Sequence, residues 1–534
     1  MIRPTQIRHF TLIVMLLRFA LLAQGQVYTQ IHNFDWHVEG ANPNYPALLA
    51  QGEDGNIYGT LQTTFPKFGS VFVSTPAGAV SPLYIFQGQP DGNTPQSGLS
   101  LGFDGNFYGT TETGGTNNFG SVFKFGNGVP GSMYSFSNGT DGAYPWAPPI
   151  QAADGNIYGV TNNGNTPGQI YRITPSGAYT VIATAPYQTI APLIQGADGN
   201  LYGTTGKGGT GNEGTVFQLT IKGKIKLKII HSFSDGLNPN GPVMQSADGK
   251  LYGTTAWGGT AGQGTVFVMT TSGGGYKILH SFQTTDGSNP DGGLVQGSDK
   301  FLYGAAARGG ANGIGTFFKV NTKGTTFAVV HDFDTLSGDT PFGTPMLHTN
   351  GIIYGTTEHG GTPNTTYGVL YSFDAGLKPF ASLVVIWSGA VGSQVGILGQ
   401  GFSTATGVKF GTGPGTFTVV SDTFMIASPT TGATTGAVTV LEPGGNLVTP
   451  QQFKVLPTIS GFNPTSGPVG TQVVITGTSF SQATAVTFKG GKATFTVNSD
   501  TQITATVPTG AKTGPISVTT KGGKVTSKSK FTVQ

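Results

Sequence analysis

The sequence predicts an all-β chain: a seven-bladed β-propeller followed by two small β-sandwich domains. Three observations carry that reading. Glycine is the outlier of the composition, at 87 of 534 residues, beside 35 Phe, 18 Tyr and only 10% charged residues. Glycine-rich disorder lacks the aromatics, and a chain this long needs a repeat array or several cores. The phrase D-G-N-(I/L/F)-Y-G returns with its tyrosine at Tyr58, Tyr108, Tyr158, Tyr202, Tyr252, Tyr303 and Tyr354, at spacings of 50, 50, 44, 50, 51 and 51. A period of this size marks a solenoid or a propeller. A second repeat, offset by 78 residues, occupies the tail.

The unit around Tyr252 contains four strand-like pieces. "GPVMQSA" (241–247) comes first, and the turn Asp248-Gly249 leads to "KLYGTTA". A glycine loop, "WGGTAGQ", leads to "GTVFVMT" (264–270), and "SGGG" leads to "YKILHSF" (276–282). Asp-Gly and Gly-Gly supply the positive φ that tight hairpins need. Four antiparallel strands of this length make one propeller blade. The repeated Asp reads as a turn former that bonds nearby backbone. The Gly after each Tyr reads as a point where neighbouring blades approach, and the Val-Phe of "GTVF" as packing between blades.

The ends of the array argue for a ring. The last unit (341–373) stops after its third strand, while "VYTQIHNF" (27–34) matches the fourth-strand phrase "YKILHSF". With that segment counted, every strand type occurs seven times. The N-terminal strand 27–34 is therefore expected to complete the final blade, which removes two open sheet ends. The propeller is placed over 26–376.

In the tail, "GAVGSQVGILGQGFSTATGVKFG" (389–411) aligns with "GPVGTQVVITGTSFSQATAVTFKG" (467–490). Both copies continue into "SDT" and end in "FKV" or "FTV", which gives domains at 379–456 and 457–534. Alternating Val/Thr strands with glycine turns describe β-sandwiches. "FNPTSGPVGTQVVITGTSF" resembles the start of an IPT/TIG immunoglobulin-like domain, so both tail domains are expected to be Ig-like. The 50-residue unit "LYGTT…GG…GTVF…LHSF" resembles the GloVer tandem repeat of exported bacterial "choice-of-anchor" proteins. The resemblance implies a surface location and no single chemistry.

"MIRPTQIRHFTLIVMLLRFALLAQGQ" opens with Arg3 and Arg8, then an apolar run from Phe10 to Ala23 broken by Arg18, then the triplet Ala23-Gln24-Gly25. The run is short for a membrane anchor. Residues 1–25 are expected to be a signal peptide cleaved near Gly25/Gln26, leaving a secreted or cell-surface chain without a membrane span. The absence of cysteine excludes disulfides, thiolate metal sites and cysteine catalysis. Charge is split: residues 26–378 hold 15 Lys/Arg and 21 Asp/Glu, whereas 457–534 hold seven Lys and one acid. Lys521, Lys524, Lys528 and Lys530 fit either edge protection or attachment to an anionic surface polysaccharide. Nucleic acid is not an expected partner.

Few motifs point to chemistry. His32, His231, His280 and His331 share one repeat position, which marks scaffold rather than a metal site. "GKGGTGNEGT" is followed by a strand, not the helix a phosphate loop needs. Asp332, Asp334 and Asp339 lack the EF-hand spacing. Glu112 and Glu358 share a repeat position and form the one nameable carboxylate pair for glycoside chemistry. No catalytic residue, metal or cofactor is assigned. The strongest candidate is the position five residues after each tyrosine: Thr63, Thr113, Asn163, Lys207, Trp257, Arg308 and His359. The surrounding scaffold barely changes while this residue varies, and the loops should surround one face of the ring. Lys, Trp, Arg and His suit sugar stacking and anion pairing. The competing reading is a loop tip free to vary.

The expectation is an exported, monomeric, non-enzymatic binding or scaffold protein. Its partner would be an extracellular polysaccharide or a cell-surface component, with the Ig-like domains as spacer or surface adhesion. The alternative is a polysaccharide lyase or hydrolase working on the propeller face, since this fold hosts both roles.

Overall fold

The computed structural model describes residues 26–534 apart from 44–47, 65–67, 127, 164–166, 363–366 and 385–387. The expected signal peptide, 1–25, lies outside the described residues. The described chain is all-β, with no α-helix in it.

Each repeat opens with the same clasp. The Asp54 carboxylate accepts the Asn56 amide at 3.0 Å and the Tyr58 hydroxyl at 2.8 Å. One side chain thus closes the turn and anchors the following strand. Tyr108, Tyr158, Tyr202, Tyr252 and Tyr303 donate to Asp104, Asp154, Asp198, Asp248 and Asp299 at 2.7–2.9 Å. In the seventh copy Asn350 stands in for the Asp and donates to the Tyr354 hydroxyl at 3.0 Å. Burial first, then the carboxylate in six of the seven, holds these phenols above their ordinary range.

The glycine after each tyrosine has a different cause from the one expected. A Cβ on Gly59 would meet the Phe72 ring at 2.7 Å, and one on Gly253 the Phe267 ring at 2.6 Å. Gly59 lies opposite Phe72, and Gly253 opposite Phe267, on the paired strand of the same sheet. The position is kept bare so that an aromatic can lie across its own sheet, not so that a neighbour can approach.

Between Val27 and Asp374 the described strands form seven four-stranded antiparallel sheets. The first runs Ala50–Gln51, Ile57–Leu61, Ser70–Ser74, Val80–Ile85. The seventh takes Met346–Leu347, Ile353–Thr357 and Val369–Asp374, and its fourth strand is Val27–Asn33 from the other end of the chain. There Tyr28 lies opposite Phe373 and Gln30 opposite Tyr371. Buried clusters fill the space between successive sheets. A further cluster joins Tyr354 and Leu370 of the last sheet to Leu49, Ile57 and Phe72 of the first, around Phe34. The result is a propeller-like ring in which, among the described residues, each sheet packs its apolar faces against its neighbours.

Polar side chains stitch the sheets together. Gln151, Gln195 and Gln245 each accept a backbone amide of the preceding sheet's turn, from Phe103, Ala153 and Ala197, at 2.7–2.9 Å. Gln51 does the same for Thr349, across the junction of last and first sheets, at 2.9 Å. On the outer rim His231, His280 and His331 stack on Tyr276, Phe327 and Tyr28 of the next sheet, with centroids 4.1, 3.5 and 3.7 Å apart. In these three copies the repeated histidine is a rim contact between sheets, and burial holds all three below their ordinary pKa, whereas His32 lies against Glu39.

Two further units follow, each with its own buried core. Their strand pairing matches. Val395–Leu398 pairs with Phe424–Pro429 as Gln472–Thr478 pairs with Gln502–Thr506. Ser388–Gly389 runs parallel to Leu447–Val455 as Ser466–Gly467 does to Gly523–Val533.

The first of these units sits on the Asp-Gly-turn end of the ring. Ser421 and Thr423 donate to the Glu53 carbonyl at 3.1 and 2.7 Å, and Gln400 donates to Thr349 Oγ1 at 2.9 Å. Lys454 donates to the Ala197 carbonyl. Leu101 packs with Val384, Leu398 and Phe424. These contacts reach sheets one, two, four and seven, so the unit lies across the ring's end. A cavity of about 290 Å³ remains beneath it, lined by Leu49, Leu99, Met346, Leu383 and Leu398 among others. Leu101 and Leu347 occupy the repeat position that is Gln in the five other sheets. The stitch is given up in these two of the four sheets that the tail touches, and kept by Gln51 and Gln195 in the other two.

Candidate functional site

The opposite end of the ring is built by the loops between second and third strands. Their backbone is held tightly where the side chain varies. Thr63 bridges to Ala41, Thr113 to Asn93, Arg308 to Ser288 and His359 to Asp339. In the Arg308 bridge the two amides donate at 2.7 and 3.0 Å, and in the His359 bridge at 2.9 and 3.1 Å. Trp257 pairs with Leu237 in a short ladder. Asn163 accepts the Ala143 amide on its side chain at 2.7 Å. Lys207 is fixed instead by Thr205, whose hydroxyl donates to its carbonyl at 2.7 Å. The loop tip is thus not free backbone.

The side chains fall into two groups. Thr63, Thr113 and Asn163 are partly buried, while Lys207, Trp257, Arg308 and His359 are exposed. Trp257 keeps 45% of its surface in solvent, which leaves an indole face open to stacking. The four exposed residues stand on sheets four to seven in unbroken succession.

Beneath them lies a polar cluster that the repeat comparison did not single out. Asn240 donates to Asp291 Oδ1 at 2.9 Å, bridging sheets five and six. Burial pushes the Asp291 carboxyl up to about 6, with the Arg308 charge and the Asn240 bond acting the other way. Glu358 is likewise raised, mainly by burial, against the pull of His359 and Arg308. His359 Nδ1 lies 3.6 Å from Glu358 Oε2. Asp291 sits in "NPDGG", which reads as an ordinary turn. The available signal was its register: the equivalent residues are Gln96, Trp146, Ile190, Asn240 and Phe342, as variable as the exposed position above.

Glu112, the other half of the sequence-level carboxylate pair, is engaged elsewhere. Its oxygens accept Trp146 Nε1 at 3.0 Å and the Gln96 amide, on sheets two and three. The three aspartates of "HDFDTLSGD" serve separate purposes. Asp332 accepts the Ala311 amide at 2.7 Å, Asp334 the Ser337 amide at 2.6 Å, and Asp339 the Thr340 hydroxyl at 2.6 Å. Among the described residues no group of three or more His, Asp or Glu is arranged to hold a metal.

A tandem β-repeat closed on itself, with fixed loops and variable tips, defines a class of modular surface rather than one chemistry. The chain belongs to the Gloeobacter/Verrucomicrobia repeat family, whose model matches residues 17–189 and 187–420. Residues 457–533 match the IPT/TIG domain. No curated protein matches the chain. Solved structures similar to it include a fungal alcohol oxidase in complex with copper, at 14% identity and TM-score 0.40, covering 95% of this chain and 100% of that one. Another is a putative 6-phosphogluconolactonase from Bacteroides uniformis, at 15% and 0.39, covering 62% and 89%. A surface glycan-binding protein from Prevotella bryantii is similar over 27% of this chain and 38% of that one, at 17% and 0.22. Likenesses this distant carry no argument about chemistry.

Proposed function

We propose that this is a non-enzymatic binding protein: a seven-bladed propeller that presents a glycan site on its loop face, carried on two Ig-like domains that act as spacer or surface adhesion. The chain is read as exported after cleavage near Gly25/Gln26 and as monomeric. One observation carries the reading. Lys207, Trp257, Arg308 and His359 project from successive sheets on backbone that is hydrogen-bonded in place, at the end of the ring the tail leaves open. An exposed indole flanked by cations and carboxylates offers stacking for a sugar ring and hydrogen bonds for its hydroxyls. The matching strand pairing of the two tail units supports a pair of Ig-like sandwiches, and the seven sheets with N-terminal closure support the blade count.

The test is an array of neutral and acidic oligosaccharides with a readout for cleavage products. The binding reading expects retention without turnover, and weaker retention for Trp257→Ala/Arg308→Ala. A second reading has one observation behind it. A carboxyl raised to about 6 and a second, partly buried carboxyl that is also raised, both under the influence of Arg308, are the kind of groups acid–base sugar chemistry uses. Product formation abolished by Asp291→Asn would establish that enzyme reading and remove the first.

A further inference from the structure

The C-terminal domain carries a charge surface unlike the rest of the molecule. Residues 457–534 contain seven lysines, no arginine and one acid, Asp500. Asp500 is committed at the junction with the preceding unit, where its carboxylate accepts the Gly432 amide at 2.9 Å and the Ser481 amide at 3.2 Å. All seven lysines are exposed, and none takes part in an ion pair among the described residues.

Pairing register gathers the lysines. Val486, Phe488, Ile516 and Val518 fill the domain's core, so their strand neighbours face outward. Thr487 lies opposite Lys492 and Ser517, Ser517 opposite Thr526, and Thr519 opposite Lys524. Lys530 lies opposite Pro515. The Lys512 amide donates to the Lys489 carbonyl at 2.7 Å, and a Cβ on Gly514 would touch the Lys489 side chain at 2.5 Å. Lys489, Lys512 and Lys530 therefore meet at one end of a threonine–serine–lysine sheet face, with Lys492 near them.

We propose that this face binds an acidic polysaccharide, through carboxylates or sulfates spaced along the polymer. Uncompensated like charges repel, and a polyanion relieves the repulsion with release of its counterions. Lysine is a hydrated point charge that suits dispersed anions rather than one forked contact. The face offers no aromatic ring on which bases stack, and its apolar side chain Pro515 is short and partly buried, unsuited to entering a bilayer. Edge protection accounts for a lysine on each sheet edge, not for seven without a free counter-charge. The site is separate from the ring face and does not depend on it.

The test uses the full chain on immobilised polygalacturonate across a salt series. The parent is expected to be retained at low salt, with affinity falling linearly in log salt. Lys489→Gln/Lys492→Gln/Lys512→Gln/Lys530→Gln is expected to lose at least about tenfold at fixed salt and to show a shallower slope. The matching four Lys→Arg changes keep the charge and should keep retention. Trp257→Ala/Arg308→Ala should bind this matrix as the parent does, which separates the two sites. The proposal is overturned by equal retention of the Gln variant, by no retention of the parent, or by a parent that prefers phosphatidylserine vesicles or DNA at the same salt.

Discussion

The two ends of the ring are built from the same repeat and have diverged in opposite ways. On the turn end the side chains themselves recur: Asp clasps Tyr, and Gln stitches sheet to sheet. On the loop end the backbone recurs and the side chains do not. A residue repeated in kind is solving a packing problem that every sheet shares. A residue that varies on repeated backbone is free to serve a partner. The exceptions support the same lesson. Leu101 and Leu347 break the Gln pattern on the turn end, at two of the four sheets that the first tail unit touches.

The largest effect should come from breaking the ring itself. Deleting 27–34 removes the seventh sheet's fourth strand and the fully buried Phe34. Loss of a buried Phe alone costs about 3–5 kcal/mol, so the deletion should lower stability by at least about 5 kcal/mol in chemical denaturation. An unchanged midpoint would mean the closure contributes nothing.

Leu101→Gln restores the repeat's own residue but places an amide against Val384, Leu398 and Phe424. It should loosen the tail by about 1–3 kcal/mol. Limited proteolysis between 376 and 381 should accelerate, while the ring's melting temperature stays near the parent's. Equal cleavage rates would show that the Leu does not hold the domain.

The pH response follows from the same packing. Burial lowers the pKa of His231, His280, His331 and His348. The unfolded chain therefore takes up protons first, and stability present above about pH 6.5 is lost as pH falls below it. The clasped tyrosines act at the other end. Their raised values keep them neutral in the fold, so stability falls once the unfolded chain ionises near about pH 10. Melting temperature against pH should fall on both sides; a flat acid limb would contradict the rim histidine contacts.

The smallest effect concerns a turn. Six turns of this series place Gly at positive φ, but the sixth sheet has Lys300 at φ 69°. Lys300→Gly should stabilise by about 1 kcal/mol, read as a small rise in the denaturation midpoint.

How much of this was legible depended on whether a residue answered to the repeat. The sheet pattern and the N-terminal strand pairing could be read because Tyr202 and Tyr252 recur in fixed phrases and Val27–Phe34 copies Tyr276–Phe282. The purpose of a recurring residue was harder. Gly253 is bare for Phe267 across its own sheet, a contact 14 positions away that spacing alone does not distinguish from one between sheets. Asp291 went unnoticed because Asn-Pro-Asp-Gly is turn chemistry in any context, and only burial beside Asn240 and Arg308 makes it unusual. The docking leucines were visible as departures from Gln, but nothing in the chain says which departures face a neighbour.

The most direct test sets the two ends against each other by measuring glycan retention beside melting temperature for Trp257→Ala/Arg308→Ala and for Asp248→Ala. The account predicts that the first loses retention at the parent's melting temperature, and that the second, which breaks the Tyr252 clasp, melts earlier while retaining glycan when folded. Retention untouched by the first pair, or lost equally in both folded proteins, would contradict the division of the ring into a packing end and a binding end.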